Sequence, residues 1–211
     1  MNTKRQEERI AAYSKIAEEY HKQFTTELQK KPLDRKIYDL FFDRVVNTGK
    51  VLEIGCGPGQ ISNYLWMRGL DITGVDISPE MVEVATKYNS NIEFVTGNVF
   101  ELKFFDNSIH GVVAPFLIVN FDLEEVTEAF KEIHRILVQE GVFLVTFHVG
   151  NDEKVVINDY LEAGNKLTFT HFRVKTIKDL LTKIGFTITE TIVKEPYEGE
   201  KTIRAFIFAK K

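Results

Sequence analysis

The chain has 211 residues, 44% of them hydrophobic and 27% charged, with a net charge of −4 and a single cysteine. That size and balance predict one globular domain with a substantial core. The acidic balance argues against an extended nucleic-acid footprint, which is normally basic, and the lone Cys56 excludes an internal disulfide. No apolar run approaches the ~18 residues of a membrane span, and the segment from Met1 to Arg9 lacks the apolar core of an export signal. The chain is therefore expected to be cytoplasmic, with no membrane insertion.

Ile10, Tyr13, Ala17, Tyr20 and Phe24 recur at helical spacing between charged residues, which predicts an N-terminal amphipathic helix. A second helix opens at Pro32, carries Leu33, Ile37, Leu40, Phe41 and Val45, and stops at Asn47-Thr48-Gly49. From Lys50 the pattern changes to strands and helices in alternation. Strands are predicted at 50–54, 71–76, 92–96, 109–114 and 142–148, and helices at 59–69, from Pro79 onward with Ser78 as N-cap, and from Asp122 to a stop at Gly141. The run at 109–114 is almost wholly apolar, as a strand buried on both faces should be. Such alternation implies a parallel sheet covered on both sides. In the tail, Thr176 to Asp179 resembles a capping box and opens a helix that ends at Gly185. Residues 186–194 and 201–209 then alternate as two strands. Their connection is too short for a helical crossover, so the pair must be antiparallel. No internal repeat is present.

The densest signal is Val51-Leu52-Glu53-Ile54-Gly55-Cys56-Gly57-Pro58-Gly59-Gln60. An apolar strand runs into a glycine-rich turn and then a helix, which lets backbone approach a ligand closely and sets a helix N-terminus beside it. About twenty residues on, Asp76 ends the next strand, where an acid can grip a ribose diol. Together they indicate a nucleoside-containing cofactor. A dinucleotide site wants G-x-G-x-x-G/A, but here the third glycine falls one place early and Gln60 stands where Gly or Ala should pack. Glu53 would also repel a pyrophosphate and suits a ligand that carries positive charge. Cys56 has no base nearby in sequence and is read as a small residue tolerated between glycines, not a nucleophile.

These residues, with Asp76, Gly97-Asn98-Val99, Phe105 to Ile109, Arg135-Ile136-Leu137, Gly141 to Leu144 and the closing helix and hairpin, resemble the class I S-adenosylmethionine-dependent methyltransferases. The likeness covers residue 50 to the end and is nearest to the small ubiquinone/menaquinone-biosynthesis-type methyltransferase group. It implies an α/β, Rossmann-like three-layer sandwich. The mostly parallel seven-stranded sheet would have order 3-2-1-4-5-7-6 with the last strand antiparallel, carrying an N-terminal helical extension. On this reading residues 1–211 form one domain. Its parts are lid helices at 1–48, a cofactor-binding core at 49–148, an insertion or lid at 149–175, and the C-terminal helix and hairpin at 176–211. The cofactor implied is S-adenosylmethionine, leaving S-adenosylhomocysteine as product. By resemblance, Gly55, Cys56, Gly57, Gly59 and Gln60 pack against its amino-acid end, which Glu53 helps order, and Asp76 accepts from the ribose hydroxyls. Ile77 and Met81 flank the adenine. Asn98, where the family commonly has Asp, accepts from the adenine amino group, Val99 offers its backbone N–H, and Ala114 and Phe116 line the methionine side.

Methyl transfer from a sulfonium is an in-line displacement in which positioning is the main catalytic contribution, with a base needed only for a protonated nucleophile. The sequence offers His148, His171 and Asn120 as catalytic candidates without selecting one, the last where relatives often carry His. Tyr13, Tyr20, His148, Phe169 and His171 are candidate acceptor contacts, and the aromatic content of 149–175 suggests a small, partly apolar acceptor. No metal site and no nucleic-acid partner are expected, and the chain is expected to be a monomer or homodimer. Two other readings stay open: a non-catalytic protein that binds S-adenosylmethionine or S-adenosylhomocysteine, and an NAD(P)-dependent oxidoreductase.

Overall fold

Nine strands and six helices account for most of the residues described by the computed structural model, namely 3–162, 164 and 166–211. Met1 and Asn2 of the expected N-terminal lid, and Ala163 and Asn165 of the expected 149–175 lid, lie outside the described residues. The strands are β1 (Val51–Ile54), β2 (Ile72–Asp76), β3 (Glu93–Thr96), β4 (Ile109–Pro115), β5 (Leu137–His148), β6 (Glu153–Asn158), β7 (Lys166–His171), β8 (Thr187–Lys194) and β9 (Arg204–Lys210). The helices are α1 (Thr3–Phe24), α2 (Pro32–Val45), α3 (Gln60–Trp66), α4 (Pro79–Tyr88), α5 (Leu123–Ile136) and α6 (Val174–Ile184), and short 3-10 turns lie at Glu27–Lys30, Ile118–Asn120 and Tyr160–Glu162.

Seven strands form one sheet in the order β3-β2-β1-β4-β5-β9-β8. β1 to β5 pair in parallel, and β9 runs antiparallel to both β5 and β8. With the β6–β7 hairpin set aside, this is the expected 3-2-1-4-5-7-6 order. Side-chain alternation divides the core between the two faces of the sheet. Phe143, Val145, Phe147, Ala205 and Ile207 pack with Phe130 and Ile133 of α5 and Ile177 and Leu181 of α6. Val142, Leu144, Phe206 and Phe208 pack with Ile37, Tyr38 and Phe41 of α2 and with Ile61 and Leu65 of α3. Burial on both faces explains why the central strands read as continuous apolar runs.

Local chemistry places the ends of the helices. Pro32 opens α2 at its first turn. Ser78 Oγ accepts from Met81 N and caps α4. Asp122 and Glu125 exchange side-chain and backbone hydrogen bonds in a full capping box at the start of α5.

Three boundaries differ from the sequence expectation. β5 begins at Leu137, not 142, because Leu137 turns extended and pairs with Ile109 before the register shifts to Gly111–Val142. The intervening bend uses Glu140, at φ 65, so Gly141 does not terminate the helix. α6 starts at Val174, ahead of the expected Thr176 box, because an acid distant in sequence caps it: Asp152 accepts from Arg173 N at 2.8 Å and from Thr176 Oγ1 at 2.9 Å. β6 and β7 form a separate antiparallel hairpin, whose β6 half alternates too weakly to be seen in sequence. The hairpin is held to the sheet by Thr170 Oγ1 donating to Phe121 O at 2.7 Å and by Gly150 N and Phe172 N exchanging bonds with Phe172 O and His148 O.

The capping box makes a direct prediction. Asp122→Ala should cost about 1 kcal/mol of stability, read as a lower urea midpoint with an unchanged denaturant slope.

Candidate functional site

A cavity of about 310 Å³ opens beyond the carboxyl ends of β1, β2, β4 and β5. It spans the point between β1 and β4 where the sheet order reverses, which is where open α/β sheets bind ligands. A smaller cavity of about 60 Å³ adjoins it and shares Tyr20, Glu27, Gly55, Gly57, Pro115, Phe116 and Arg204.

The glycine turn forms the floor. Gly55, Gly57 and Gly59 all sit at positive φ (73, 51 and 78°), a conformation costly for any other residue. Gly55 N and Cys56 N both donate to Val75 O, so the turn is tied to the end of β2. Asp76 completes the tie: its Oδ2 accepts from Gly57 N at 2.8 Å and its Oδ1 from Ser78 N at 2.9 Å. The carboxylate lines the cavity with lone pairs to spare. Burial pushes its pKa up, opposed by these backbone hydrogen bonds. Ile77, Met81, Asn98 and Val99 line the same end. Asn98 Oδ1 already accepts from Phe100 N at 3.1 Å in a local turn, which leaves that oxygen one further lone pair for a ligand.

Glu53, Cys56 and Gln60 face the smaller cavity. Glu53 Oε2 accepts from Ser62 N at 2.7 Å and also from Ser62 Oγ. Burial pushes its carboxyl up to about 8, the Ser62 bonds pulling the other way. Gln60 Oε1 is buried with no hydrogen-bond partner among the described residues. Burial raises the Cys56 thiol pKa well above its ordinary value, which fits an inert packing residue.

The other end of the main cavity is aromatic. Tyr13, Tyr20 and Phe24 come from α1, Phe116 and Phe121 from the segment after β4, Tyr160 from its 3-10 turn and Phe169 from β7. Burial raises the Tyr13 and Tyr20 hydroxyls and pushes Tyr160 up to about 12, so all three stay neutral. Phe116 holds φ 53, a strained value for a bulky residue. Its ring lies 5.0 Å from His148 and 4.9 Å from the Arg204 guanidinium. His148 shares a hydrogen bond of 2.8 Å between Nδ1 and Thr202 Oγ1. Burial and the Arg204 charge lower its pKa to about 4, so the ring is neutral at pH 7.

Helix α1 closes the cavity as a roof. Tyr13 donates to Asn120 Oδ1 at 3.0 Å, and Arg9 reaches Glu125 Oε1 at 2.8 Å and Asn120 O at 3.2 Å. Ser14 bonds Ser78 and Glu80, and Glu18 pairs with Lys87 at 2.6 Å. Beneath the roof lies a buried ionic cluster of Lys31, Lys194 and Arg204 with Glu27, Asp34 and Glu200.

Three sequence-predicted residues lie off both cavities. Ala114 is wholly enclosed in the sheet, and its neighbour Pro115 takes the lining position because side chains alternate along β4. Gly59 starts α3 and packs under Phe94, where any Cβ would fall 2.6 Å from the ring. His171 turns aside, its ring 5.3 Å from His148 and its Nδ1 3.8 Å from Glu153 Oε1. The remaining candidates line one cavity or both. Sequence reasoning missed Arg9, Glu27 and Arg204 as lining residues. Arg204 carried a signal, a cation at the head of the apolar run from Ala205 to Ala209. Glu27 carried none.

The fold and this site define a class: a Rossmann-like domain with a glycine turn and a strand-end acid at the switch point of its sheet. Comparison with known proteins agrees. A family described as a methyltransferase domain matches residues 51–141. The putative methyltransferase YqeM of Bacillus subtilis is 33% identical over 181 residues, covering 65% of this chain and 73% of that protein. The demethylmenaquinone methyltransferase of Chlorobaculum tepidum is 38% identical over 93 residues, 44% of this chain, and the match spans only 38% of that protein's length. Among solved structures, a methyltransferase of Methanosarcina mazei superposes with a TM-score of 0.70 at 25% identity, covering 77% of this chain and 92% of that one. The chain belongs to the S-adenosylmethionine-dependent methyltransferases of class I.

Glu53 gives the site a pH signature. Its folded-state pKa, about 8, lies above the ordinary value of 4.5, so the folded state holds a proton that the unfolded chain releases. The stability contributed by neutral Glu53 is full below pH 4.5 and is lost as pH rises through 8. Wild-type protein should therefore lose more stability than Glu53→Gln between pH 5 and pH 8, measured by urea denaturation across that range.

Proposed function

We propose that this protein transfers the methyl group of S-adenosylmethionine to a small, partly apolar acceptor held in the aromatic end of the main cavity. One observation carries this reading: a single cavity joins the glycine turn and Asp76 at one end to the aromatic chamber and His148 at the other. A donor and an acceptor can therefore meet inside it, shielded by α1.

The residues present fit the cofactor. Asp76 accepts without a competing side chain and can take both ribose hydroxyls in charge-assisted bonds. Glu53 and the unpartnered Gln60 Oε1 lie where an ammonium would sit. When bound, S-adenosylmethionine supplies a methyl group already activated on a sulfonium. The task left to the protein is to align the acceptor, a contribution that can reach ~7–11 kcal/mol. Tyr13, Tyr20, Phe116, Tyr160 and Phe169 fix the plane and depth of the acceptor, and the α1 roof excludes water. Where the acceptor arrives protonated, His148 is the candidate base on the cavity wall, a weak one because its pKa lies near 4. It is neutral, its Nδ1 is anchored to Thr202, and its other ring nitrogen is left for the acceptor. His171, off the cavity, has no such part.

Two measurements check the proposal. Asp76→Asn keeps the size of the side chain but loses its charge, and should weaken S-adenosylhomocysteine binding about a hundredfold, the equivalent of two charge-assisted hydrogen bonds. Unchanged affinity by calorimetry would remove the ribose assignment. Incubation of the protein with methyl-labelled S-adenosylmethionine and a small-molecule extract should yield a labelled product of low molecular weight. Cofactor binding without any labelled product across broad extracts would identify a non-catalytic binder instead.

A further inference from the structure

Glu27 and Arg204 meet where the two cavities join, and both line both of them. Neither takes part in the steps above. Arg204 is only 9% exposed, and its guanidinium spreads over Phe116. One terminal nitrogen lies 2.8 Å from Glu200 Oε1 and the other 3.4 Å from Asp34 Oδ2. Its Nε is buried and has no hydrogen-bond partner among the described residues. An unmet donor on a buried arginine is costly and calls for an acceptor.

The arithmetic of charge points the same way. Lys31, Lys194 and Arg204 are carried by the start of α2 and by the β8–β9 hairpin, as are Asp34 and Glu200. That fixed set holds one excess positive charge. The balancing carboxylate is Glu27, which pairs with Lys31 and lies 4.0 Å from Arg204. Glu27 stands on the short turn that links the α1 roof to α2, and its side chain is 29% exposed against 6% for Asp34 and 10% for Glu200. It is the loosest anion of the set, and it follows directly on the α1 roof.

We propose that Lys31 and Arg204 form a carboxylate seat, filled by Glu27 and yielded to a ligand carboxylate of the same geometry. The planar guanidinium fork is built for such a group, and exchange of one carboxylate for another keeps the buried cluster neutral. Two sources share this chemistry: the amino-acid end of the methyl donor, entering through the small cavity past Gln60, and an acidic acceptor, entering along Phe116. The identity of those ligands rests on the proposed methyl transfer; the seat itself does not.

Calorimetry on the whole chain tests it in two arms. The first compares S-adenosylhomocysteine with 5′-deoxy-5′-(3-aminopropylthio)adenosine, which lacks the carboxylate. The second compares 2-naphthoate with 2-naphthamide, each with and without S-adenosylhomocysteine. In at least one arm the carboxylate probe should bind about tenfold tighter than the partner that lacks the carboxylate, the value of one charge-assisted bond. Glu27→Gln should widen that preference by about fivefold in the same arm, since the resident competitor loses its charge. Arg204→Gln should abolish the preference, but it sits in a buried cluster, so the decision falls on Glu27→Gln, whose fold is checked by circular dichroism. The seat is overturned if neither arm shows a carboxylate preference, or if Glu27→Gln leaves carboxylate binding unchanged or weaker. Failure of both nucleosides to bind, with a naphthoate preference that Glu27→Gln widens, would remove the methyl-donor reading and keep the seat. Equal binding of both nucleosides, with no response to Glu27→Gln in either arm, would keep the donor reading and remove the seat.

Discussion

The site is organised around the Asp76 carboxylate. One of its oxygens holds Gly57 of the glycine turn and the other holds Ser78 at the start of α4. Three elements, the end of β2, the turn after β1 and the first turn of a helix, are thereby locked through one buried acid. Burial raises the free energy of the charged form, and the two backbone N–H groups offset much of that cost. The residue that would grip a ribose is thus the same residue that shapes the surface against which the rest of the ligand would lie. Ser78 extends the lock by capping α4 and by bonding Ser14 of the roof helix. Order in the floor and closure of the roof are therefore coupled through Asp76 and Ser78, two hydrogen-bonded positions two residues apart.

The opposite end of the cavity is built on another principle. Its aromatic walls come from α1, the segment after β4, and the β6–β7 hairpin, none of which belongs to the parallel sheet core. Aromatic rings give large contact area with few rotatable bonds, so under the proposed methyl transfer this chamber would orient a flat acceptor at little entropic cost. Where the chamber meets the small cavity, Phe116 is wedged between His148 and Arg204 at a positive φ. Strain of that kind persists only where the surroundings over-determine it. Here the surroundings are the buried ionic cluster on one side and the sheet on the other. Asp34, raised by burial against the pull of Lys194 and Arg204, and Glu200, held down to about 2 by Lys31, the Tyr197 N–H and Arg204 against its own burial, show how unevenly that cluster shares its charge.

Much of this was legible in the chain. The glycine spacing, the strand-end acid, Pro32, Ser78 and the Asp122–Glu125 box are local signals, each written within a few consecutive residues, and each matches an element end or a turn in the fold. The antiparallel closing hairpin followed from loop length alone. The errors share a cause. α6 begins at Val174 because Asp152, more than twenty residues earlier, supplies the cap. β5 begins at Leu137 because Ile109 is there to pair with it. Ala114 turns away from the cavity because of its parity along β4. Each depends on a partner or a register that no local pattern records.

The sequence by itself determined the α/β class, the glycine turn with its strand-end acid, and the antiparallel closing hairpin, because these rest on short-range chemistry: backbone conformations that only glycine adopts cheaply, caps, periodicity and loop length. Tertiary structure alone decided the junction of the two cavities. Glu27, His148 and Arg204 lie up to 177 positions apart in the chain (204 − 27) and acquire common purpose only where a helical turn, β5 and β9 converge. Charge pairing and burial act through space, so the excess positive charge at that meeting point, and the carboxylate that answers it, could not be read before the chain was folded.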